Sequence, residues 1–469
     1  MPPQIALVCC VLFILSLVIR DVKRSPVSHA LWIPLAWMLL IGSRLPSEWL
    51  SGAAVEMTSA DAYVDGSPLD RAVFLLLIAV AAAIVLRRSV SWPYFVATNQ
   101  AIALFFLFSF VSIGWSEFPL VAFKRWIKVV GHILMVLVVL TDPEPRQAFK
   151  ALLRRCGYIL IPLSVLLIKY YPEIGRSFSQ WDGQGYYMGV TTNKNALGNL
   201  CLVVGVFFTA CLFGTGRRLR AMRIDRWVCC FILCMVGWLL WVANSASSLA
   251  CTGLGVVVVL GTRVRAIERY FTILLLAAAL VVGVLQMVVN VKDSVIEGLG
   301  RDTTLTGRTE LWDTLKMMEA NPLIGAGFES FWLGERAEKL WSIYWWKPNQ
   351  AHNGYYETYL NLGLIGVALL CGMIVAGYRK SRRHLRRSMH ADEPMRTGDQ
   401  EIAPFRLAFV LAISLFNMTD GTFKAMHLSF FVFFLVAIEY SSVRRQAASK
   451  LPGMWRSRRS ASREARLRI

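Results

Sequence analysis

Charge is scarce in this chain. Asp, Glu, Lys and Arg make up 17% of its 469 residues, against 56% apolar residues and a mean hydropathy of +0.51. A soluble protein of several domains needs more polar surface than that. Acidic residues are scarcer still, 30 against 50 basic ones. Nucleic acid could attract such an excess, but the basic residues gather in short connectors, "RDVKR" (20–24), "RRLRAMRIDR" (217–226) and "RKSRRHLRR" (379–387), and in the tail from Arg444. That is the positive-inside pattern, so membrane lipids are expected partners and nucleic acid is not.

Other absences narrow the chemistry. The ten cysteines form no CxxC pairs and lie in or beside apolar stretches, which excludes a disulfide framework and a thiolate metal site. No GxxxxGK[ST] or GxGxxG loop exists, which argues against an ATP-driven motor. There are six histidines, none clustered with metal spacing, so neither a metal nor a cofactor is expected. The first apolar run lacks a basic leader and has its charges after it, as in "VIRDVKR". It reads as a first span rather than a cleavable signal.

What is present is a series of apolar runs, near 4–19, 29–43, 71–86, 98–115, 125–140, 155–170, 192–213, 227–243, 247–262, 271–290, 354–378, 404–418 and 426–441. Each approaches the length needed to cross a hydrocarbon layer of about 30 Å as a helix. The fold class is therefore an all-α integral membrane protein with 11–13 transmembrane helices, thirteen on this count. Residues 1–290 hold helices 1–10, 354–441 helices 11–13, and 442–469 a basic cytoplasmic tail. With basic connectors inside, the polar connectors 44–70, 171–191 and 291–353 face outward. The last is a large loop with a helical pattern of its own, "GRTELWDTLKMMEANPL", stopped by Asn321–Pro322.

The outward face collects the candidate site residues. His132 sits within an apolar run, and His29, His384 and His390 lie at basic connectors, so His352 and His427 are the outward histidines. His352, in "AHNGYYE", is placed either to act as a base or to cap the following helix. Arg308, in "TGRTELW", offers a planar fork suited to phosphate oxygens, or else pairs with Glu310 or Asp313. In "GVTTNKNALGN", Lys194 and Asn195 open a helix whose free N–H groups suit an anion, although Lys194 could simply snorkel. Arg176 belongs to the preceding outward connector, and Arg125 with Lys128 to the outer end of a span. Asn417 and Asp420 read as turn residues, and Ser245, Ser247 and Ser248 as aids to close helix packing. Fixed positive charge with one histidine suits departure of a doubly charged phosphate.

"TGRTELWDTLKMMEANPLIGAGFESFW" followed by "HNGYYETYLNLGLIGVALL" resembles the signature of the O-antigen ligase and Wzy-type polysaccharide polymerase superfamily. "GVTTNKNALGN" resembles the matching segment of its exopolysaccharide polymerase branch, and the likeness runs over roughly residues 90–440. The resemblance implies a fold similar to the C-type glycosyltransferases. It also implies a glycan donor on undecaprenyl diphosphate, an active site at the periplasmic face of the bacterial inner membrane, and no metal. His352 and Arg308 are then the expected catalytic residues. Lys194, Arg176 and Arg125 are expected at the diphosphate, and Asn195, Asn353 and Glu357 at the substrate. A chain-length regulator and a flippase are candidate protein partners beside the lipid-linked donor and acceptor. The expected activity is polymerisation of lipid-linked repeat units. Alternatives are a ligase acting on lipid A core and, from another class, a transporter or flippase, which would more often show internal repeats and charges at mid-membrane.

Overall fold

The computed structural model describes residues 1–51, 66–88, 90–178, 183–214, 221–264, 267, 269–274, 308–318, 320–390 and 401–440. In chain order the α-helices of seven or more residues are α1 (Pro3–Arg24), α2 (Trp32–Ile41), α3 (Pro68–Arg87), α4 (Trp92–Thr98), α5 (Gln100–Val111), α6 (Pro119–Leu140) and α7 (Pro145–Tyr170). There follow α8 (Lys194–Gly214), α9 (Ala221–Ala243), α10 (Ala246–Gly261), α11 (Arg308–Met317), α12 (Gly334–Ile343), α13 (Gly354–His390), α14 (Ile402–Phe416) and α15 (Leu428–Ala437). Five of them, α1, α3, α4, α6 and α7, have proline in their first two positions, where its missing N–H costs nothing.

Helices α1, α3, α7, α8, α9 and α13 are long and apolar enough to cross a bilayer. The pair α4–α5, bent by 102°, adds a seventh if read as one span, and α2, α10, α14 and α15 are shorter apolar helices. The protein is an all-α integral membrane protein. The small antiparallel hairpin of β1 (Arg176–Phe178) and β2 (Gly185–Tyr187) is the sole sheet among the described residues. The expected span 271–290 and the loop segment up to residue 307 lie, almost entirely, outside the described residues. Two boundaries differ from expectation. Helix α11 ends at Met317, ahead of Asn321–Pro322, and α13 continues past its apolar run through the basic connector to His390.

Helix α15 is apolar on every side and every one of its residues is buried, so it fills the centre. Around it stand α13, α14, α6 and α8, while α1 and α3 present apolar side chains such as Leu12 and Leu76 outward. Lipid is as apolar as leucine, so close contact between helices, not exclusion from water, holds such a bundle. The α8–α10 pair shows how. A Cβ on Gly198 would come within 2.1 Å of the Ser248 hydroxyl, and one on Gly255 within 2.4 Å of Val206. Small residues at both positions let the two backbones approach. His132 takes a core role, accepting a hydrogen bond at Nδ1 from the Trp37 indole at 2.9 Å.

The two ends of the bundle differ in charge. At the basic end Asp21 accepts from Arg154 and Arg155, each at 2.7 Å, and Lys150 meets Glu401 at 3.1 Å. Arg155 is almost fully buried, so it is tolerated only with its carboxylate present. Removing that partner by Asp21→Ala should destabilise the protein by about 3–5 kcal/mol. Arg24→Ala, which breaks a half-exposed ion pair with Asp225, should change little. Thermal unfolding in detergent compares the two, and equal midpoints would contradict this assignment.

Candidate active site

The site end is organised around a break in α13. At Gly363 the backbone turns to φ 64 and ψ −166, and the helix continues beyond it. The broken turn leaves N–H and C=O groups without intrahelical partners. The segment "PLIGAG" supplies them. Ala326 donates to Leu360 O at 3.1 Å and Gly327 to Asn361 O at 2.9 Å. In return Leu364 donates to Pro322 O at 2.9 Å and Ile365 to Leu323 O at 3.2 Å. The backbones approach so closely that a Cβ on Gly363 would fall 2.2 Å from the Leu323 carbonyl carbon, and one on Gly325 2.4 Å from that of Asn361. This is the physical content of the Gly-rich signature: two segments some forty residues apart are laid together backbone to backbone.

Upstream of the break, the start of α13 is pinned from three sides. Asn353 caps it, its side-chain oxygen accepting from the N–H of Tyr355 at 3.0 Å and of Tyr356 at 3.1 Å. The Gly354 N–H donates to Asn417 O at 2.7 Å, which ties this end to the turn between α14 and α15. Glu357 accepts from the Ala351 N–H at 2.8 Å, the Trp332 indole at 2.5 Å and the Asn361 amide at 3.2 Å. Asn353 and Glu357, expected at the substrate, thus have oxygens engaged in holding residues 351–356. Immediately before Asn353, His352 is held at φ 52, a left-handed conformation that a residue other than glycine rarely adopts.

His352 faces a cluster of cations. Arg308 opens α11 and donates to Thr419 O at 3.0 Å, while the neighbouring Asp313 is paired with Lys316 instead. Lys424, from the α14–α15 turn, donates to the Gln350 side-chain oxygen at 2.7 Å, and the Gln350 amide nitrogen lies 3.3 Å from His352 Nδ1. The lysine fixes which end of the amide is oxygen, so the amide N–H points at the imidazole. Nδ1 is then the acceptor and the neutral ring carries its proton on Nε2. Burial, then the charges of Arg308 and Lys424, push the His352 pKa down to about 3. The imidazole is therefore neutral at any physiological pH. Arg125 joins from α6, donating to Glu329 O at 2.5 Å, and the Glu329 carboxylate accepts from the Ala425 N–H at 2.5 Å.

Hence Arg308, His352, Asn353, Glu357 and Arg125 come together, and Lys424, Gln350 and Glu329 complete the group. Lys194 and Asn195 open α8, and Arg176 opens β1. Asn193 caps α8 through the N–H of Asn195 at 3.0 Å and of Ala196 at 2.9 Å, and Lys194 is exposed. Asn195 accepts from Ser245 at 3.2 Å. Arg176 donates to Ile168 O at 2.9 Å and lies over the Tyr187 ring, so it steadies the end of α7 against the hairpin. One turn into α8, Asn199 accepts from Ser429 near the start of α15.

The cation cluster makes a definite claim about titration. Lys424→Met removes a positive neighbour, so it should raise the His352 midpoint toward the ordinary 6.5. NMR titration of the labelled histidines, with His352→Asn for assignment, measures this. A midpoint that stays put or falls would contradict the arrangement.

The sequence profile of the O-antigen ligase family matches residues 203–371. That stretch includes Arg308, His352, Asn353, Glu357 and the Gly363 break, and it begins after Arg125, Arg176, Lys194 and Asn195. The chain is also similar to "Exopolysaccharide production protein ExoQ" of Rhizobium meliloti (strain 1021). The two are 24% identical over 359 residues, which is 74% of this chain and 78% of that protein. Residues 203–371 thus match the O-antigen ligase domain, and along most of its length this membrane-helical chain is similar to an exopolysaccharide production protein, which supports the O-antigen ligase and Wzy-type polysaccharide polymerase superfamily.

Proposed function

We propose that this protein is a polysaccharide polymerase of the bacterial inner membrane. At the periplasmic face it transfers a glycan from undecaprenyl diphosphate to a hydroxyl of the next lipid-linked repeat unit. The observation that carries this reading is a neutral His352 set directly among Arg308 and Lys424. A glycosyl transfer of this kind needs two things, removal of one proton and stabilisation of a departing dianion. The cluster offers both. Polymerisation is preferred to ligation because of the likeness to a protein named for exopolysaccharide production.

In the resting protein the lone pair on His352 Nδ1 is taken by Gln350, which Lys424 holds in place. An incoming diphosphate draws Lys424 to itself and releases Gln350, so Nδ1 becomes free when the donor is bound. The acceptor hydroxyl then gives its proton to Nδ1 as its oxygen bonds to the anomeric carbon. The bond from that carbon to the diphosphate oxygen breaks, and the lipid diphosphate leaves with the electron pair. Arg308 and Lys424 meet the developing charge; Arg125 and Glu329 hold the turn that carries Lys424, and Lys194 and Arg176 widen the positive rim.

The test is transfer in vitro from purified lipid-linked repeat units, with EDTA present. His352→Ala should lose a general base's share, roughly 10²–10⁴-fold in rate. Arg308→Lys keeps the charge but not the planar fork, so it should lose most turnover as well. Wild-type product should be a ladder of lipid-linked chains. A single transfer to lipid A core would establish the ligase instead. Activity abolished by EDTA and restored by a divalent ion would overturn the metal-free mechanism.

A further inference from the structure

Helix α11 carries Arg308 and, one turn on, Trp312, on the same face. As Arg308 reaches the turn at Thr419, the Trp312 indole donates to Ala351 O at 2.8 Å, one residue from His352. Trp312 meets Tyr356 edge-on, with centroids 6.3 Å apart and planes at 72°. Tyr356 and Tyr359, three apart on α13 before its break, lie nearly parallel, at 6.0 Å and 11°. Two parallel rings thus form a stepped floor, with a third ring as its wall. All three are only partly buried, although they flank a core of fully buried residues such as Leu311 and Phe331.

We propose that Trp312, Tyr356 and Tyr359 form a saccharide-binding surface for the acceptor glycan. The proposal rests on the polymerase reading above. The C–H groups on one face of a pyranose are weakly positive and apolar, and they match the negative face of an aromatic ring. Tyrosine and tryptophan give such contact area with few side-chain torsions to freeze. Position selects the acceptor. The floor begins beside His352, which handles the acceptor hydroxyl, whereas the diphosphate of the donor belongs to Arg308 and Lys424. A stacked floor grips sugars through their ring faces and leaves the edge hydroxyls to turn toward His352.

Tyr359 is the best probe, because it is the far ring of the floor, stacked on Tyr356 three positions further along α13. The full-length protein in nanodiscs is titrated with the free oligosaccharide released by mild acid from the lipid-linked repeat unit, followed by saturation-transfer NMR. Undecaprenyl diphosphate binding is measured in parallel. Tyr359→Ala should weaken oligosaccharide binding by roughly two- to tenfold, the worth of one aromatic contact. It should leave diphosphate binding unchanged. Tyr359→Phe keeps the ring and should bind the oligosaccharide as the wild type does. In the transfer assay Tyr359→Ala should raise the acceptor KM and spare kcat. Unchanged oligosaccharide affinity in Tyr359→Ala, or equal loss of both ligands, would overturn the proposal. Wild-type protein that binds the oligosaccharide through Tyr359 yet performs no transfer would sink the polymerase reading and leave this surface standing. Normal transfer with unaltered saccharide affinity would do the reverse.

Discussion

The break of α13 at Gly363 is the constraint on which the site depends. A membrane helix that simply continued would leave the large loop without a backbone partner and His352 without an address. Because the helix opens there, its free N–H and C=O groups pair with residues 322–327, and the loop becomes part of the bundle. Glycine is required on both sides of this seam, by conformation at Gly363 and by contact distance at Gly325. With the seam closed, Glu329 reaches Ala425, Trp332 reaches Glu357, and α11 is brought against the 350–353 loop. Every charged group near His352 is positioned through one of these contacts.

The surroundings of His352 combine two effects that act in one direction. Partial burial disfavours the imidazolium, and two fixed cations disfavour it further. The result is a ring that stays neutral and cannot hold a proton for long in the resting protein. In the proposed reaction an arriving diphosphate would bring negative charge that offsets Arg308 and Lys424 and raises the proton affinity of the ring. The same electrostatics that keep the histidine idle without substrate therefore favour it with substrate. Buried charge at the other end of the bundle serves stability instead, since Asp21 and its two arginines are closed on one another.

Much of this was legible in the sequence, for identifiable reasons. Apolar runs and basic connectors are one-dimensional signals, and they gave the membrane-helical class and the sharing of one end by Arg308, His352 and Arg125. Asn353 before Gly354 is a local cap pattern, so the helix start was legible too. Lys424, Gln350 and Glu329 were not. They meet His352 only because the α14–α15 turn folds back onto the loop, and the contact of Lys424 with Gln350 spans 74 positions. The turn "FNMTDGTFKAMH" marked itself by composition alone, which does not reveal where its lysine lands. Lys194 and Arg176 show the converse. Their residue types suited an anion, but Asn193 already satisfies the first N–H groups of α8, and Arg176 is engaged with Ile168 O and Tyr187.

The most direct test of this account is a cryo-EM structure of the full-length protein in nanodiscs with undecaprenyl diphosphate bound. The account predicts phosphate density within about 3 Å of both the Arg308 guanidinium and the Lys424 ammonium, with Gln350 turned away from His352 Nδ1. Phosphate density seated instead on Lys194 and Arg176, with Lys424 still bonded to Gln350, would contradict it.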